Sequence, residues 1–104
     1  MPYIALFVAG VFLCNSLPHL IAGLLGMPFP TPFAEPRGKG NSPPVVNFLW
    51  GAFNMIVGGG LLIHYPETMG LNAEFAATVS GALATGTLMS YHFGRVRKQQ
   101  RRQP

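Results

Sequence analysis

The chain has 104 residues, of which 49% are hydrophobic and 10% charged, and a formal net charge of +4. That length allows one domain, and so few charges exclude an ordinary soluble domain, which needs ionic groups spread over its surface. The lone cysteine, Cys14, excludes an internal disulfide framework.

The charges are also clustered, at Glu35, Arg37, Lys39, Glu67 and Glu74 and then in five cations from Arg95 onward, which leaves three long uncharged blocks. A helix rises 1.5 Å per residue, so about 20 apolar residues cross a hydrocarbon core roughly 30 Å thick. The expected fold class is therefore all-α, an integral membrane protein with three transmembrane helices at about 4–26, 45–65 and 73–93. A Pro/Gly-rich loop at 27–44 and a basic tail at 94–104 complete a single membrane domain.

The first span carries a polar interruption, Asn15, Ser16, Leu17, Pro18 and His19, near its middle. An amide, a hydroxyl and an imidazole are costly in lipid and should face protein or a small wet cavity. Pro18 lacks an N–H, which frees the Cys14 carbonyl and favours a bend there. Cys14 itself reads as buried packing. Acylation after cleavage is disfavoured because Met1 to Ala9 carry no cation and Leu13 is too bulky for a cleavage site.

The connection 27–44 holds six prolines, at 28, 30, 32, 36, 43 and 44. They forbid a regular helix and favour extended or turn backbone. Phe29 and Phe33 within it should press on the membrane interface or the mouth of the bundle, while Arg37 and Lys39 are candidate headgroup contacts. The run from Arg37 to Ser42 is rich in glycine and cations but lacks Walker spacing, so it gives no support for nucleotide hydrolysis.

The second span opens at Asn41, Ser42 and Pro43, with Ser42 the expected N-cap and Pro43 the first helical residue. Pro66 stops it. The third begins at the candidate N-cap Asn72 with Glu74 in its first turn, and the short connection between them predicts antiparallel packing of the second and third helices. All seven Lys and Arg fall in the first connection or the tail. The positive-inside rule then puts the N-terminus out and the C-terminus in, with multi-pass insertion in the cell membrane.

Depth along the spans brings Asn15 level with Asn54, and His19, Asn47 and Trp50 closer to the inner side. Asn47, Gly51, Asn54 and Gly58 recur at helical spacing on one face, and the stripe Asn15, His19, Gly23 and Gly26 could stand opposite it. Small residues are what membrane helices pack with, so Pro18, Gly51, Gly58, Gly81 and Thr85, with the run Gly58 to Gly60, read as packing positions.

The five polar or aromatic residues Asn15, His19, Asn47, Trp50 and Asn54 are the candidate ligand or partner-binding set. No catalytic residue and no metal ligand set is expected: the chain has no Asp, and no Ser stands beside a base. No cofactor is expected either. Haem or metal through His19 is disfavoured, because His64 falls at the opposite end of the bundle from His19 and His92.

The expected function is that of a small noncatalytic membrane protein which binds a partner, lipid or small molecule through an inner-half polar face. One alternative is an oligomeric transporter or channel for a small solute or proton. A weaker one is a haem- or quinone-binding redox subunit. Expected partners are anionic lipid near the basic tail and a second copy or another membrane protein; nucleic acid is disfavoured for want of aromatic platforms.

Overall fold

The computed structural model describes residues 2–66 and 70–102 of the chain. It is all-α, with α1 at Tyr3–Leu24, α2 at Pro44–His64 and α3 at Ala73–Arg101. The first two are long and apolar enough to cross a membrane. Between them lies a two-stranded antiparallel ribbon, β1 at Phe29–Pro30 and β2 at Asn41–Ser42, with Phe29 opposite Ser42 and Pro30 opposite Asn41. Residues 67–69 of the expected second connection, Glu67 among them, and 103–104 of the tail lie outside the described residues.

α1 runs through Pro18 and ends in a Schellman motif. The Met27 amide donates to the Ala22 carbonyl and the Gly26 amide to that of Gly23. Gly26 holds φ at +72°, a left-handed conformation in which a side chain is strained. It therefore ends the helix instead of extending the stripe Asn15, His19, Gly23.

Two start signals came out differently. α2 has Pro43 as N-cap and Pro44 in its first turn, with no side-chain cap. Ser42, the expected cap, instead pairs its hydroxyl with that of Thr31 at 2.5 Å. The cap of α3 is as its sequence suggests: Asn72 Oδ1 accepts from the Phe75 amide at 2.9 Å, and Glu74 sits in the first turn. α3 continues past residue 93 to Arg101, with Lys98 and Arg101 in a last turn where cations complement the helix dipole.

α1 is the central helix and packs against both α2 and α3, which scarcely meet each other. The antiparallel α2–α3 pair suggested by a short connection does not form. Both neighbours instead pack on α1, α2 antiparallel and α3 parallel to it. The reason lies in glycine placement. Gly51 of α2 lies against Ser16 and Leu20, and Gly58 against Ala9 and Leu13. On the other side, a Cβ at Gly10 would collide with the Thr78 carbonyl, and one at Gly81 with the Phe7 carbonyl. Backbone thus meets backbone on two sides of α1, which is how helices gain dispersion contact where no hydrophobic force pairs them. Gly59 and Gly60 meet nothing within 4 Å, so only Gly58 of that run is a packing position within the chain.

Candidate functional site

The buried residues of α2 are Asn47, Gly51, Asn54 and Gly58, the four of the predicted stripe. Facing them, Asn15 Nδ2 donates to Asn54 Oδ1 at 2.9 Å, and Asn54 Nδ2 donates to the Trp50 carbonyl at 2.7 Å. About two turns nearer the start of α2, Asn47 is fully buried and holds three parts of the chain at once. Its Nδ2 donates to the carbonyls of Phe29 and Ser42, each at 3.0 Å, and lies 3.3 Å from that of Pro43. Its Oδ1 is 2.9 Å from His19 Nδ1.

That geometry assigns a tautomer. The surrounding carbonyls leave the Asn47 amide one orientation, so Oδ1 accepts and His19 Nδ1 must donate. In the neutral ring Nε2 then keeps its lone pair. The imidazole is 2% exposed and lies edge-on to Phe29, with ring centroids 5.5 Å apart, and to Trp50, at 6.5 Å.

The proline loop closes over this clasp. Thr31, 1% exposed between two prolines, bonds Ser42 through its hydroxyl and accepts from the Phe33 amide at the same oxygen. Its carbonyl accepts from the Ala34 and Gly38 amides. Phe29 packs on Phe93, with centroids 4.7 Å apart, and Phe33 stands edge-on to Trp50 at 5.1 Å. Arg37 and Lys39 are exposed on the loop. α3 is tied to the same loop, because His92 Nε2 donates to the Gly38 carbonyl at 2.7 Å and Gln100 Nε2 donates to the Lys39 carbonyl and Asn41 Oδ1, both at 3.1 Å.

Because α2 and α3 stand apart, a groove of about 410 Å³ opens between them. Val11, Phe12 and Asn15 of α1 form its floor; Trp50 and Asn54 form one wall, and Thr85, Leu88 and Met89 the other. Its surface is mainly apolar. Among the described residues, Trp50 Nε1 is the buried side-chain polar atom with no hydrogen-bond partner. A buried indole N–H ordinarily finds an acceptor, and this one is enclosed among the rings of His19, Phe33 and Phe53.

The structure therefore splits the candidate set. Asn15, Trp50 and Asn54 line the groove, whereas His19 and Asn47 are consumed in the clasp. Pro18 lies within α1, and Gly51, Gly58 and Gly81 pack against it. Thr85 faces the groove. Sequence reasoning passed over Gly10, Thr31 and Gln100. A hydroxyl set between two prolines was the available signal for Thr31; nothing local marked the other two. Among the described residues no three His, Cys, Asp or Glu side chains cluster as a metal site would need. Comparison with family models, curated proteins and solved structures finds no match to this chain.

Proposed function

We propose that the protein is a noncatalytic multi-pass membrane protein that binds the transmembrane helix of a partner along its lateral groove. All three helices span the bilayer, the N-terminus out and the C-terminus in. Support for insertion comes from exposure. Only 28% and 22% of the most apolar windows of α1 and α2 are buried, whereas the core helix of a soluble protein is mostly buried. Ile4, Ile56, Ile63, Leu83 and Leu88 are all more than 60% exposed, and so much apolar surface needs lipid or a partner. α3 is the least apolar of the three, yet hydroxyls along it bond within the helix: Ser90 donates to the Gly86 carbonyl at 2.7 Å and Thr78 to that of Glu74 at 3.4 Å.

α1 holds the other two helices together. The cations of the loop and of α3 lie at one end, which the positive-inside rule makes the cytoplasmic end.

The observation that carries the partner reading is the groove itself, apolar, open along one side and walled by the Trp50 side chain. The exposed small residue Ala84, one turn from Leu88, suits close helix approach. The transporter and redox readings draw on the same polar layer, but its amides are bonded to one another and to the loop, and no specific observation favours those readings.

The test places a photocrosslinking residue at Leu88 of the full-length protein in its native membranes. The expected product is one discrete adduct whose linkage maps to a transmembrane segment, of a second copy or of another protein, and which Thr85→Trp removes by filling the groove. Crosslinking to lipid alone, or no adduct, overturns the reading. Extraction by alkaline carbonate would separately overturn insertion.

A further inference from the structure

We propose that the cavity between the loop ribbon and the cytoplasmic end of α3 is a site for the phosphate of an anionic phospholipid. It has a volume of about 370 Å³ and joins two kinds of wall. One is apolar: Phe29 and Phe93 in ring contact, Val96 at 4% exposure and Met27. The other carries Arg97 and Arg101, one helical turn apart and hence on the same face of α3.

Among the described residues no carboxylate lines this cavity. Glu35, the acid of the loop, lines a neighbouring one with Lys39. Two guanidinium groups in a cavity whose described lining holds no carboxylate suit an anion, and their forked N–H groups match phosphate oxygens. Gln100, which stands between them in sequence, spends its amide on Lys39 and Asn41 and so fastens this turn of α3 to the ribbon. The backbone that carries the arginines is thereby held against the ribbon.

Depth and shape favour a lipid over a free phosphate. The cavity begins at Met27, immediately after α1 ends, which is the level of the headgroups if α1 spans the bilayer; the inference rests on that reading. The half-exposed Met27 and the phenylalanines offer the glycerol and first acyl carbons an apolar wall that inorganic phosphate would not use. This site is separate from the lateral groove.

The experiment uses the full-length protein in a neutral detergent, titrated with phosphatidylglycerol or phosphatidylcholine and read by native mass spectrometry. Phosphatidylglycerol should be retained at one site and phosphatidylcholine should not. Arg97→Gln with Arg101→Gln should weaken retention roughly thirtyfold, from about one lipid-facing charge interaction lost at each position. Arg95→Gln with Lys98→Gln removes the same charge elsewhere on α3 and should change retention less than about threefold.

Equal losses in the two pairs would show diffuse attraction and overturn the site. Displacement of the lipid by millimolar inorganic phosphate would reassign it to a soluble anion and overturn the lipid assignment. Carbonate extraction of the unaltered protein from membranes reports on insertion alone, so failure of the membrane reading is distinguishable from failure of the headgroup site.

Discussion

Asn47→Leu is expected to lower the stability of the purified protein by about 2–4 kcal/mol. The substitution leaves the buried His19 Nδ1 hydrogen without its acceptor and removes the side-chain donor from the Phe29 and Ser42 carbonyls, which keep their pairing across the ribbon. The orphaned imidazole N–H costs about 1–3 kcal/mol and each lost bond to a carbonyl about 0.5–1.5 kcal/mol, and Leu is close enough in volume that little of the loss is packing. The loop should then come away from the helix ends, and trypsin should cut faster at Arg37 and Lys39. Asn15→Leu is the natural comparison. It removes one interhelical hydrogen bond at a partly exposed position, a change worth about 0.6 kcal/mol in a membrane bundle. Thermal unfolding in detergent measures both; near-equal midpoints for the two variants would refute the clasp.

Gly81→Leu should detach α3 from α1. The atoms facing Gly81 are the backbone of Phe7, which cannot rotate away as a side chain can, so the helices must separate along the interface shared with Gly10. Overpacking costs 1–3 kcal/mol where side chains can yield, and about 3 kcal/mol or more is expected where they cannot. A crosslink gives the readout. A Cβ at position 86 lies 3.4 Å from Cys14 Sγ, close to the separation within a disulfide, so Gly86→Cys should link to Cys14 under mild oxidation. Adding Gly81→Leu should abolish the link. Gly60→Ala, at an open position, should leave it intact and stabilise the helix by about 0.5–1 kcal/mol. Persistence of the Cys14 link in the Gly81→Leu protein would show that the two helices do not depend on that contact.

These two expectations draw on different sources. The polar face of α2 could be read directly from spacing, because Asn47, Gly51, Asn54 and Gly58 repeat at the period of a helix and an amide in an apolar segment must turn inward. The level of Asn15 against Asn54 followed from rise per residue. What Asn47 holds could not be read that way. Its partners are carbonyls of a proline loop, and every residue has a carbonyl, so no residue type announces the acceptor. Ser42 misled for a related reason. A serine before a helix start usually caps it, but here the hydroxyl of Thr31, brought alongside by the ribbon, competes for it.

Whereas α3 runs on past the expected end at 93 to Arg101, the sequence by itself determined the number of helices and nearly the bounds of α1 and α2, the polar face of α2, the side of the bundle that carries the cations, and the break imposed by the prolines. All of these depend on residues near one another in the chain, through helical period, depth and the backbone chemistry of proline and glycine. The tertiary structure decided that α1 is the middle helix, that α2 and α3 stand apart with a groove between them, and that Arg97 and Arg101 share a cavity with Phe29. Helices with glycines on several faces can pack in more than one order. Only the fit of Gly10 and Gly81 on one side of α1, and of Gly51 and Gly58 on the other, selects the order observed.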